Sequence, residues 1–105
     1  MRSTRVALYD IKSGNFDEVL SKAEAGMVPL FRQSDGFVSY GVAQVDQDTF
    51  ISLSTWETRA QADAASTKAA DWVMANFKDT FTLRESYFGD LAIDAHAAAS
   101  APIAL

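Results

Sequence analysis

The chain has 105 residues, with 9 Lys and Arg against 14 Asp and Glu for a formal charge of −5, and a sequence pI of about 4.6. That length supports one domain with a single core, and the acidic balance argues against nucleic acid and membrane surfaces as partners. With no cysteine, a disulfide scaffold, a Cys-ligated metal and a thiol nucleophile are excluded, and a cytoplasmic address is expected. No run of 18 apolar residues occurs, and Met1 to Thr4 does not resemble the start of a secretory signal.

Arg5 to Ile11 carries apolar residues of both parities, Val6 and Leu8 against Ala7, Tyr9 and Ile11. This predicts a first strand covered on two sides. Asn15 stands three residues before Glu18, an Asn-led capping box that starts a helix near Phe16. Its apolar stripe is expected to run Phe16, Leu20, Ala23, Met27, Leu30 and Phe31. Pro29 costs about 3 kcal/mol in a regular helix interior, so a kink or break is expected around Met27 to Val28.

Ser34-Asp35-Gly36 makes a turn into a second strand, Phe37 to Val45, with Val38, Tyr40 and Val42 on one side and Phe37, Ala43 and Val45 on the other. Asp46-Gln47-Asp48 then closes a hairpin onto a third strand, Thr49 to Trp56. Phe50, Ser52, Ser54 and Trp56 share one face of it; Ile51, Leu53 and Thr55 share the other. Thr58 with Gln61 caps a second helix whose stripe is Ala62, Ala65, Ala69, Trp72, Val73 and Phe77. A fourth strand is expected over Phe81 to Leu91, with Leu83, Tyr87 and Leu91 opposing Phe88. The domain spans residues 1–93, and residues 94–105 form an Ala-rich tail, either frayed or laid on a partner.

The order βαββαβ predicts an α+β, ferredoxin-like sandwich with two helices on one face of a four-stranded sheet. The strands are apolar on both faces, so a second cover is needed. A two-fold partner sheet supplies it most simply, which predicts an obligate homodimer packed face to face. The same order occurs in RNA-recognition domains, but those place basic residues and exposed aromatics on the first and third strands, whereas Phe50 to Trp56 has no basic residue.

Gly14, Phe16, Leu20 and Pro29, then Gly36-Phe37, then Trp56-Glu57-Thr58 ahead of an Ala-rich helix, then Gly89-Asp90-Leu91 resemble the antibiotic biosynthesis monooxygenase family of dimeric α/β-barrel proteins over residues 4 to 93. The resemblance implies two subunits forming a dimeric α/β barrel, with a ligand cleft between sheet and helices in each. Some members of that family oxygenate aromatic polyketides or quinols with no metal or flavin, and others degrade haem. Trp56 matches the pocket tryptophan expected at the end of the third strand. Where the polyketide-oxidising branch is expected to carry an asparagine and a tyrosine, this chain has Ser52 and Ala62; where the haem-degrading branch is expected to carry a histidine and an asparagine, it has Ser66 and Ala7. Haem degradation is not expected.

The candidate site residues are therefore Trp56, as the catalytic candidate and a binding residue, and Ser52, Ser54 and Tyr9 for binding a small aromatic ligand, bounded by Phe31 and Trp72. Each has a structural alternative. Trp56, Phe31 and Trp72 also fit a core, the serines also fit hydrogen bonding within the strand region, and Ala62, Ala65 and Ala69 either draw the helix close or leave room for a ligand. His96, the single histidine, lies in the tail without an adjacent acid or second ligand, and the glycines form no phosphate-binding loop, so neither a metal nor a cofactor is expected. The leading expectation is a cofactor-independent monooxygenase acting on an aromatic or quinol substrate. Its rival is a non-catalytic dimeric module of the same fold that binds a ligand or only associates.

Overall fold

Six elements follow in chain order: β1 (Ser3–Ile11), α1 (Phe16–Arg32), β2 (Phe37–Asp46), β3 (Thr49–Trp56), α2 (Arg59–Asn76) and β4 (Phe81–Asp90). The computed structural model describes residues 1–97, so most of the expected tail lies outside the described residues. Both caps form as the sequence predicts. Asn15 Oδ1 accepts from the Glu18 N–H at 3.0 Å, and Thr58 Oγ1 accepts from the Gln61 N–H at 3.2 Å.

Two helix expectations change. First, α1 runs unbroken through Pro29. A proline deprives the carbonyl four residues earlier of its donor. Here that residue is Ala25, which is exposed, so water can meet the carbonyl, and the ladder resumes as Gln33 N–H donates to Pro29 O at 3.2 Å. Second, the buried stripe of α1 is Val19, Ala23, Met27 and Phe31, with Val19 2% exposed and Leu20 37%. The helix is turned so that Leu20 sits at the edge of its inner face.

The strands form one antiparallel sheet in the order β2-β3-β1-β4. Both helices lie on the face that carries Phe50, Ser52, Ser54 and Trp56. Two register shifts alter the expected faces. Phe37 opposes Trp56 while Ser39 opposes Thr55, which brings Phe37 to the helix side with Tyr40, against Phe31 and Trp56. In β4, Leu8 opposes Glu85 and Tyr9 opposes Leu83, leaving Arg84 as the extra residue. A bulge of this kind reverses the parity beyond it. Leu83 therefore lies on the same face as Tyr9 and Phe88, whereas Tyr87, opposite Val6, is on the other.

The interior divides into two clusters. Trp56, Met27, Phe31 and the small residues Ala62, Ala65 and Ala69 form one. Val19, Phe50, Phe77 and Phe81 form the other, and Trp72 and Val73 pack against both. On the opposite face of the sheet, Val6, Leu8, Ile51, Leu53 and Tyr87 stand without cover from the described residues, with Leu53 38% and Tyr87 61% exposed.

Candidate functional site

Between the two clusters, sheet and helices enclose a cavity of about 320 Å³. Its roof is Val19, Ala23, Met27 and Phe31 of α1 with Ala69, Trp72 and Val73 of α2, and its floor is the helix-facing side of β1, β2 and β3. Small residues on α2 hold this volume open, because Ala69 reaches less far toward the sheet than the aromatics on either side. Leu20, Met74, Lys78 and Leu83 line the cavity and are exposed, which marks its mouth.

The floor changes character along β3. At one end Tyr9 opposes Phe50, their rings stacked at 5.0 Å and 17°, with Phe81 edge-on to both at about 5 Å. Next Ser52 lies between Ala7 and Val42, and beyond it Ser54 lies between Arg5 and Tyr40. Directly opposed residues on one face stand about 5 Å apart at Cβ, so Tyr40, Ser54 and Arg5 form a row across three strands. Both serines line the cavity. Burial, reinforced by the neighbouring Tyr9 and opposed by Arg5, pushes the Tyr40 phenol up to about 12. Tyr40 therefore keeps its proton and is a donor at neutral pH.

Of the residues expected at the site, Tyr9, Phe31, Ser52, Ser54 and Trp72 line this one cavity. Trp56 is not among the lining residues. Its ring is fully buried, edge-on to Phe31 at 5.2 Å and to Phe37 at 5.4 Å, and its Nε1–H has no hydrogen-bond partner. It stands behind Phe31, which does face the cavity. Arg5 and Tyr40 are lining residues that the sequence reasoning passed over, although Arg5 shares its parity with Tyr9, and Tyr40 with Val42. His96, expected to lack an adjacent acid, has its Nε2 2.8 Å from Asp94 Oδ1 and 3.2 Å from an Arg2 nitrogen. That surface cluster is separate from the cavity.

The sequence pattern of the antibiotic biosynthesis monooxygenase family matches residues 3–72, two thirds of the chain. No curated protein matches it in sequence. Among solved structures, SnoaB, a cofactor-independent oxygenase from Streptomyces nogalater, superposes with a TM-score of 0.67 at 13% identity over 95% of this chain and 98% of its own. A Chloroflexus aurantiacus J-10-fl protein ascribed to the antibiotic biosynthesis monooxygenases gives 0.70 at 17% identity over 92% and 98%. A dimeric ferredoxin-like protein from an uncultured marine organism gives 0.67 at 13% identity over 90% and 98%. At these identities the superpositions establish the fold, and the sequence match establishes the kinship: the chain belongs to the antibiotic biosynthesis monooxygenase family.

Proposed function

We propose that the protein binds a small aromatic or quinol-type molecule in the cavity between sheet and helices and oxygenates it without a cofactor. One observation carries this reading: a cavity of about 320 Å³ with aromatic and aliphatic walls and hydroxyl groups gathered at one end of its floor. Such a space excludes water from a flat apolar ring and presents donors to an oxygen atom on it. A substrate with an acidic ring C–H, such as an anthrone, loses that proton to water at the open mouth of the cavity, and its carbanion is oxidised by dioxygen. One oxygen atom remains as a carbonyl and the other leaves as water. The Ser52 hydroxyl, midway along the floor, stabilises the oxyanion, which lowers the cost of deprotonation. Tyr9, Phe31 and Trp72 hold the ring, and Trp56 acts behind Phe31 as a positioning residue.

Oxygen uptake with a panel of anthrones and quinols tests the reading, comparing the natural chain with Ser52→Ala and Trp56→Phe. Uptake that falls in Ser52→Ala supports it. A second reading, a non-catalytic ligand-binding or association module, is favoured by one feature: among the described residues no Asp, Glu or His lines the cavity to serve as general base. Ligand binding with no uptake across the panel would establish that second reading.

The active form is proposed to be a homodimer joined through the uncovered face of the sheet. The support is the stripe of Val6, Leu8, Ile51 and Leu53 on that face, together with the dimeric state named for a structural neighbour. No described helix is long and apolar enough to cross a membrane. The absence of cysteine supports a reducing, cytoplasmic compartment.

A further inference from the structure

Arg5 is a cation on the cavity floor that an apolar aromatic ligand leaves unexplained. It is partly buried on the helix-facing side of β1, lines the cavity, and forms no ion pair or side-chain hydrogen bond with any described residue. The other arginines with a defined contact to an acid, Arg2, Arg59 and Arg84, each lie on a carboxylate. The neighbours of Arg5 do not neutralise it. Its Cζ is 5.9 Å from the centre of the Phe88 ring, a ring already covered at 4.3 Å by Arg59, whose own partner is Asp63. Removing a guanidinium from bulk water without a counter-charge is costly. Its planar fork of donors fits a carboxylate in two parallel hydrogen bonds.

The row across the sheet completes an anion site. Ser54 lies directly opposite Arg5, and Tyr40 lies opposite Ser54. Both side chains bring an O–H donor to the same cavity as the guanidinium, and there is no acid among the lining residues to compete with a ligand. Tyr9 is four residues from Arg5 along the strand, about 13 Å, which leaves room for an aromatic ring between the stacked Tyr9–Phe50 pair and the charged end.

We propose that the ligand is an aromatic carboxylate, its ring lying between Phe31, Phe50 and Trp72 and its carboxylate held by the Arg5 guanidinium with Ser54 and Tyr40 as further donors. This rests on the reading that the cavity binds an aromatic molecule, and it narrows the chemical class. The carboxylate is an anchoring group, distinct from the carbon that is oxidised.

The test compares binding of 2-naphthoate with that of its uncharged isostere, 2-naphthamide, by calorimetry on the natural chain, on Arg5→Gln and on Lys78→Gln. The natural chain is expected to prefer the acid by about tenfold or more, and Arg5→Gln to lose that preference while still binding the amide. Equal affinity of the natural chain for the two probes would overturn the anion anchor and leave the aromatic cavity standing. So would loss of the preference in Lys78→Gln with its retention in Arg5→Gln. Binding of neither probe would overturn both. Equal affinity on the natural chain overturns the anchor by itself, and Lys78→Gln reads the other lining cation, so the test remains falsifiable if Arg5→Gln does not fold.

Discussion

Gly26 of α1 lies directly against the indole of Trp72 on α2: a β-carbon at Gly26 would overlap Cζ2, Cε2 and Nε1 of that ring. The absence of a side chain on one helix thus seats an aromatic from the other, and this ring is part of the cavity roof.

Gly26→Ala weighs two opposed effects. Alanine favours the helix by about 1 kcal/mol, while overpacking a filled site costs about 1 to 3 kcal/mol. The overlap is with the rigid part of a large ring held between both clusters, so destabilisation should win. Chemical denaturation should show a net loss of about 1 kcal/mol with altered Trp72 fluorescence. In Trp72→Phe, which removes the overlapping atoms, the same substitution should become neutral or stabilising.

Tyr40 sets a signature at high pH. Its phenol is raised from 10.0 to about 12 in the folded chain, burial being the first cause. Below pH 10 both folded and unfolded forms carry the proton and its contribution to stability is complete. Between pH 10 and 12 only the unfolded form releases it, so stability falls as pH rises through that window. Denaturation midpoints measured across it should decline, and Tyr40→Phe should decline less.

On the uncovered face, the Arg84 guanidinium hydrogen-bonds Asp10 and holds its carboxyl below the ordinary 3.8, against a smaller effect of burial. The lowered value means that this contribution is present above about pH 4 and is lost as pH falls through the native pKa. Stability profiles of the natural chain and Asp10→Asn should converge in acid and separate above that point.

Leu53 lies near the centre of that apolar face, opposite Val6 on one side and Gly41 on the other. Leu53→Glu should convert the proposed dimer to an 11.4 kDa monomer in sedimentation experiments, because an unpaired carboxylate between two packed sheets is strongly disfavoured. A natural chain that sediments as a folded monomer would remove the partner-sheet proposal. The cavity is built from one chain, so ligand binding by the variant should persist.

Trp56→Phe tests what the buried indole does. The substitution removes ring volume from a fully buried position and deletes the unpartnered Nε1–H. The lost packing outweighs the relief of an unmade hydrogen bond, for a net cost of about 1 to 3 kcal/mol. If the side chain acts only through Phe31, affinity for an aromatic probe should fall modestly, and Phe31→Ala should reproduce the effect in the presence of Trp56.

Local chemistry determined the elements. Asn15 and Thr58 fix helix starts because their side chains satisfy N–H groups a few residues away, and alternation over Thr49 to Trp56 marks β3 end to end. The same alternation already brought Ser52 and Ser54 to one face. What the tertiary structure alone decided was which side chains meet. The bulge at Arg84 and the shift between Phe37 and Ser39 reverse strand parity through pairing with distant residues, so no local pattern reveals them. Whether Trp56 or Arg5 faces the cavity also depends on packing between elements. The indole is covered by Phe31 and the alanines of α2, and Arg5 lies across β3 from Tyr40 without an acid beside it. Short-range hydrogen bonds and periodicity are encoded along the chain, while an uncompensated charge can be recognised only after every neighbour is in place.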